Sequence, residues 1–398
     1  MKAFLILEDG TVFEGTHIGA QKEVISEIVF NTAMVGYLEE LTDPACAGEA
    51  ICMTYPLVGN SGICKEDMQS ANVWPDAILV RELSRIPSNF RSECTIQQFL
   101  ETNDTPGIAG IDTRALTKHL RDKGTMNGMI TTNADYKLEE VLPKIKAHKA
   151  GNLIEKVTCK EKYVVAPVTD LAQNGPISGS AKFDAEAYAR GEKEQIPSMI
   201  KELTGTGLKV AVLDLGTKAC VLRALAERGC EVTVYPASTP AEEIIAAKPD
   251  GILISSGPGN PKEYSAIAAE IKKLCDSNIP MFAICLGHLL TAMANGAEIV
   301  SMKYGHRGAS QPVKELKTGR VYVTGQSHGY VVDTDKLDPK VAVPAFVNVN
   351  DGTNEGLTYT GKNILTVQYQ PEGCAGPQDS LYLFEQFIKM MKGESYNA

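Results

Sequence analysis

From residue 208 to residue 296, short apolar runs alternate with stretches of helical period. Lys209-Val-Ala-Val-Leu213, Glu231-Val-Thr-Val-Tyr235, Gly251-Ile-Leu-Ile254 and Met281-Phe-Ala-Ile284 read as strands. Between them, residues 218–228 read as a helix stopped by Gly229, and residues 240–247 and 266–275 as two more. This alternation predicts right-handed crossovers and a doubly wound, mostly parallel α/β sheet covered by helices. Ligands in such sheets bind beyond the carboxyl ends of strands. Ser256-Gly257-Pro-Gly259 and Cys285 both fall at such ends, which points to one site.

The first 150 residues carry a different pattern, β-rich α+β. Residues 3–7 read as a strand closed by an Asp9-Gly10 turn, and residues 27–31, 50–55 and 77–80 as further strands. Helical period enters at 113–121, with Asp112 as N-cap, and again at 137–147. From about 158 to 207 the pattern weakens. Residues 173–180 have linker composition, and two short helices are predicted at 183–193 and 195–203. The expected organisation is a first domain over 1–152, a linker over 153–207 and a second domain over 208–398.

Composition adds mainly exclusions. The 398 residues are 43% hydrophobic and 22% charged, an ordinary globular balance. A net charge of −10 with no Lys/Arg cluster argues against nucleic acid or an anionic membrane as partner. No apolar run is long enough to span a bilayer, and the N-terminus turns acidic too early for a signal peptide, so a cytoplasmic location is expected. The ten cysteines form no CxxC pair and no zinc-ligand spacing, so no metal site is expected and reduced thiols are.

One cysteine stands apart. In Met281-Phe-Ala-Ile-Cys285-Leu-Gly-His-Leu-Leu290 an apolar strand turns sharply into a helical pattern that ends at Asn295-Gly296. A thiol at such a turn faces the N-terminus of the following helix, whose dipole favours the attacking thiolate. Ile254-Ser-Ser-Gly-Pro-Gly-Asn-Pro261 is a glycine loop after a strand. Its amides either meet a developing oxyanion or simply make a turn, and it lacks the lysine of a phosphate-binding loop. Glu372, behind Pro371, is either a carboxylate that orients a base or a surface helix-start residue.

Ser256-Gly-Pro-Gly-Asn-Pro261, Cys285-Leu-Gly-His288 and Pro371-Glu372 resemble the class I, triad-type glutamine amidotransferases. Val29-Phe-Asn-Thr-Ala-Met-Val-Gly-Tyr37, Leu41-Thr-Asp-Pro44, Met53-Thr-Tyr-Pro-Leu-Val-Gly-Asn60 and Gly110-Ile-Asp-Thr-Arg-Ala-Leu-Thr117 resemble the small subunit of carbamoyl phosphate synthetase, as do Lys303-Tyr-Gly-His-Arg-Gly308 and His328-Gly329. The resemblance implies hydrolysis of glutamine, with ammonia passed to a large subunit. That partner uses ATP and Mg to make carbamoyl phosphate for arginine and pyrimidine routes, and no cofactor is expected in this chain. Cys285 would form the glutamyl thioester and Glu372 would orient the family's His. Amides of Leu286 and of Gly257 or Gly259 would form the oxyanion hole, and Gly329 and Tyr330 would contact glutamine.

The departures from the family gather at the substrate. The triad His is Gln370, which cannot exchange a proton near neutral pH. The glutamine-holding Gln is Leu289, the Ser after Thr-Asp-Pro is Ala45, and the Asn before His-Gly is Ser327. The first Gly of the elbow is Ala283, a tail His is Gln378, and an Asn expected after Lys218 is Cys220. Loss of a general acid–base removes ~10²–10⁴-fold in rate. The expectation is an impaired glutaminase on a retained scaffold. The alternatives are a structural or regulatory subunit of an ammonia-using synthetase, and a repurposed cysteine acyl-transfer enzyme. His288, His306 and His328 are the nearest substitutes for the missing base.

Overall fold

A computed structural model describes residues 1–168 and 207–394. The helices predicted at 183–193 and 195–203 lie outside the described residues.

Seven strands close into a barrel in the order Lys2–Leu7, Val12–Gly19, Pro106–Ala109, Ala77–Val80, Glu49–Met53, Val24–Asn31 and Met126–Thr131. Closure leaves no unpaired sheet edge. The first strand shows why its run is apolar without a break. Ala3, Leu5 and Leu7 fill the barrel, while Phe4 and Ile6 face outward under Val141 and Ile145 of the Leu138–Ala147 helix. The Thr113–Lys123 helix starts at Asp112, whose carboxylate accepts from the Ala115 amide at 2.9 Å. Its Leu116 and Leu120 pack into the barrel core.

The second sheet has ten strands. Its parallel half runs Glu231–Pro236, Lys209–Asp214, Gly251–Ile254, Met281–Ile284 and Ile364–Val367. Helices cover both faces over two apolar clusters, one around Leu213, Ile254 and Leu290, the other around Val212, Phe282 and Phe387. Beyond Ile364–Val367 the sheet continues antiparallel through Asn354–Tyr359, Ala342–Asn348, Ile299–Glu315 and Val321–Val332. At the opposite edge Tyr163–Val165 pairs antiparallel with Glu231–Pro236, so part of the expected linker is sheet.

Polar contacts join the barrel to this sheet. Arg307 is buried and reaches Glu49 with Nη2 at 2.5 Å from Oε1. The Thr32 amide donates to Arg307 O at 3.1 Å, and the Thr125 amide to Lys303 O at 3.0 Å. Among the described residues no helix is long and apolar enough to cross a membrane.

Candidate active site

The thiol sits where the strand turns. Met281–Ile284 is buried throughout, and the Cys285 amide donates to Val367 O at 2.8 Å. Cys285 then takes φ 51°, ψ −108°, outside the regions open to most side chains, and the Leu286–Ala294 helix begins. Gly287 is required here. A Cβ would lie 2.5 Å from Ile254 O and 2.8 Å from Ser255 O, and its amide donates to Ser255 O at 3.1 Å. Ala283 is fully buried in the strand.

Beside the thiol lies a cavity of about 370 Å3 between barrel and sheet. Cys285, Ala45, Gly257, Gly259, Leu286, Leu289, Ser327, Gly329 and Tyr330 all line it. Ala45 reaches it from the barrel domain on a short turn, Pro44–Cys46, whose cap Asp43 accepts from the Ala45 amide at 2.9 Å. Gly257 packs against the main chain, where a Cβ would lie 2.2 Å from Leu215 O, and Gly259 takes φ +90°. Glu49, His148, Lys149 and Arg307 also line the cavity. Sequence reasoning missed these four, because Glu49, His148 and Lys149 of the first domain and Arg307 of the second meet at this wall only through the fold.

Gln370 and Glu372 sit to one side, among buried charges. The Gln370 amide donates to Gly325 O at 2.9 Å, and its Nε2 donates to Asp43 Oδ2 at 3.2 Å. Glu372 is 2% exposed, and Lys218 Nζ lies 2.5 Å from its Oε1. Lys218 is fully buried, lies 3.7 Å from Asp43 Oδ2 and donates to Cys374 O at 2.7 Å. Burial opposes its charge, but Glu372 and Asp43 outweigh that and hold the ammonium well above its usual range. Glu372 is therefore not a surface carboxylate: it is the buried counter-ion of Lys218. The sequence carried no sign of this, since a lysine opening a helix is ordinarily solvated.

The surroundings of the Cys285 thiol work against the thiolate that the helix dipole alone would favour. Cys285 S–H donates to Ser327 O at 3.7 Å, and Gln368 Nε2 donates to the sulfur at 3.7 Å. Burial, then the charges of Asp43 and Glu372, push the thiol up to about 12, against the opposing pull of the Leu286 amide and Lys218. One helix N-terminus does not offset full desolvation beside two carboxylates.

Among the described residues no histidine hydrogen-bonds this thiol. His288 is fully buried with Nδ1 2.9 Å from Thr366 Oγ1, and burial pulls it down to about 3. His328 has Nε2 2.9 Å from Gln326 Oε1 and Nδ1 3.0 Å from Tyr330 O; burial, then His306, hold it well below its usual range. His306 has Nε2 2.9 Å from Asp351 Oδ2 and Nδ1 3.0 Å from Gln326 Oε1. His148 lines the cavity with Nε2 buried and unpartnered.

Comparison with known proteins gives a consistent picture. A family model described as carbamoyl-phosphate synthase small chain, CPSase domain, matches residues 5–130, and one described as glutamine amidotransferase class-I matches residues 211–390. A carbamoyl phosphate synthase small chain of Listeria monocytogenes serotype 4b is 42% identical over 393 residues, covering 99% of this chain and 98% of the relative. The proteins of that name from Clostridium perfringens and Syntrophotalea carbinolica are 40% and 41% identical, each over 98% of this chain and 99% and 98% of their own lengths.

Proposed function

The chain belongs to the carbamoyl-phosphate synthase small chain family, and from that premise we propose that it is a small subunit whose glutamine hydrolysis is severely impaired. It docks a large subunit that uses ATP and Mg and draws nitrogen from free ammonia. The observation that carries this reading is the surroundings of the Cys285 sulfur, which lies 3.7 Å from the Ser327 carbonyl oxygen and 3.7 Å from Gln368 Nε2, with no imidazole among its hydrogen-bond partners in the described residues.

The chemistry follows from three groups. Attack on a glutamine amide needs a thiolate. A thiol held at about 12 is ionised in only ~1 molecule in 10⁴–10⁵ at neutral pH. A returning proton is needed when ammonia leaves, and Gln370, bonded to Asp43, has none to give. Leu289 and Ala45 place apolar groups on the wall assigned to the substrate's polar end. Those two substitutions remove hydrogen-bonding groups, which is where a glutamine site loses most discrimination. The oxyanion donors, by contrast, are main-chain amides at Leu286 and the Gly257–Gly259 loop and survive side-chain change.

The test is carbamoyl phosphate synthesis by this chain with its cognate large subunit, ATP, Mg and bicarbonate. The expected outcome is a stable complex that works with ammonium and not with glutamine. Glutamine-dependent synthesis that Cys285→Ala abolishes would overturn the reading.

A further inference from the structure

Four donor side chains meet between three strands of the antiparallel half of the second sheet. His306 comes from Ile299–Glu315, Gln326 and His328 from Val321–Val332, and Glu355 from Asn354–Tyr359. All four are more than nine-tenths buried. The two imidazoles lie edge to face with ring centroids 5.3 Å apart, and one donor atom each from His306, His328 and Glu355 falls within 4.8 Å of the other two. Gln326 Oε1 sits between the rings, 3.0 Å from His306 Nδ1 and 2.9 Å from His328 Nε2. Glu355 Oε1 is 3.5 Å from His306 Nδ1, and Glu355 Oε2 is buried with no hydrogen-bond partner among the described residues.

We propose that His306 Nδ1, His328 Nε2, the Glu355 carboxylate and Gln326 Oε1 bind one zinc-class divalent cation that clamps these three strands together. The outer nitrogens assign the tautomers. His306 Nε2 lies 2.9 Å from Asp351 Oδ2 and His328 Nδ1 lies 3.0 Å from Tyr330 O, and both oxygens can only accept. Each neutral ring therefore keeps its proton on the outside and turns a lone pair inward. A histidine held in this way, by a carboxylate or a carbonyl on its second nitrogen, is the usual support of a zinc ligand. The carboxylate is braced as well, because Asn348 Nδ2 donates to Glu355 Oε1 at 3.0 Å.

The inward set is then two imidazole lone pairs, an amide oxygen and a carboxylate with one oxygen unmatched. Buried acceptors gathered in this way repel one another until a cation stands among them. A second proton on His306 meets that need in part and still leaves Glu355 Oε2 without a partner. A metal ion serves all four donors at once. Two imidazoles with two oxygens suit zinc, whereas magnesium and calcium take oxygen ligands alone. Ligands ~2.1 Å from a tetrahedral ion stand ~3.4 Å apart. His306 Nδ1 and Glu355 Oε1 already stand 3.5 Å apart. With every position filled by protein, the site is structural rather than catalytic. Arg307 and Ser327, next in the chain to His306 and His328, line the Cys285 cavity, so the ion stiffens that wall. The proposal is independent of whether glutamine is turned over.

The test strips the full chain with a chelator, adds Zn²⁺, removes loose metal by gel filtration and counts what is retained by atomic emission. Retention of about one zinc per chain is expected, with no retention of Mg²⁺ in a parallel run. Glu355→Gln and His306→Gln should lose the ion, and Asp351→Asn, which frees the outer nitrogen of His306, should weaken it by ~10–100-fold. The ten cysteines are rival ligands, so the Co²⁺-loaded wild type is also read by absorption. Visible d–d bands without a near-ultraviolet thiolate charge-transfer band are expected. A wild type that retains no zinc would overturn the proposal. So would equal retention in both ligand variants, or a thiolate band, which places the metal on cysteine. Circular dichroism of the metal-free variants separates loss of the site from misfolding, and the wild-type zinc count and cobalt spectrum stand whether or not a variant folds.

Discussion

Replacing Lys218 by Met should be among the most destabilising single changes in the second domain. The ammonium is fully buried, 2.5 Å from Glu372 Oε1 and 3.7 Å from Asp43 Oδ2. At an effective dielectric constant near 20, those separations correspond to gross attractions of about 6–7 and about 4–5 kcal/mol. Desolvation of each ion costs several kcal/mol, so the intact cluster contributes little net stability. Its removal is another matter. Met leaves two buried carboxylates facing each other, with Gln370 Nε2 the donor that remains on Asp43. Breaking a buried pair in this way costs about 3–5 kcal/mol, or about 6–20 °C in melting temperature for a domain of this size. The assay is urea unfolding at pH 7.5 of the wild type, Lys218→Met, Glu372→Gln and the double variant. Because Glu372→Gln removes one of the stranded charges, the double variant should recover about 2 kcal/mol relative to the sum of the single changes. A loss below about 1 kcal/mol for Lys218→Met, or additivity within about 0.5 kcal/mol, would refute the assignment of Glu372 as a structural counter-ion.

Other parts of the account give separate expectations. Alkylation of Cys285 by iodoacetamide should rise about tenfold per pH unit through pH 10, because its thiol stands at about 12; a plateau below pH 9 would contradict this. Gly287→Ala drives a methyl to 2.5 Å from Ile254 O and should cost about 1–3 kcal/mol in the same urea assay, whereas a neutral result would mean the elbow relaxes freely. Buried His288 stands at about 3 against about 6.5 when unfolded, so below pH 6.5 the unfolded chain takes up a proton that the native one refuses. Stability should therefore fall by about 2 kcal/mol from His288 alone between pH 6.5 and 5, and His288→Asn should flatten that fall. An unchanged acid slope in that variant would exclude the histidine.

Much of the scaffold was readable because local pattern and tertiary context agree there. The run Met281-Phe-Ala-Ile284 is apolar throughout and becomes a strand buried on both faces. The helix read at 266–275 is observed at Ser265–Asp276. The barrel was not readable, since closure depends on pairings such as Val12–Gly19 with Pro106–Ala109 that no local period encodes. The long strands Ile299–Glu315 and Val321–Val332 were missed for another reason. Polar Arg307, Gln326 and His328 are buried in them while Tyr304, Val321 and Val323 are exposed, and register shifts between Ser301 and His306 and between Gly308 and Gln311 break the alternation. At the site, the cavity wall was legible as motifs, from Gly257 to Tyr330. Its electrostatics were not. The charges that bear on Cys285, Gln370 and Glu372 include Asp43 and Lys218, brought from distant parts of the chain. A helix-dipole argument made from sequence cannot count charges that only the fold assembles.

The most direct test of the central claim is the rate of glutamate release from glutamine by this chain in complex with its large subunit. The comparison is with the fourfold revertant Ala45→Ser, Leu289→Gln, Ser327→Asn, Gln370→His and with Cys285→Ala. The account predicts wild-type release no faster than Cys285→Ala, and a gain of ~10²–10⁴-fold in the revertant as a base and the lost hydrogen bonds return. Wild-type release well above Cys285→Ala would contradict it, because Cys285 would then be finding a base that the structure does not place beside it.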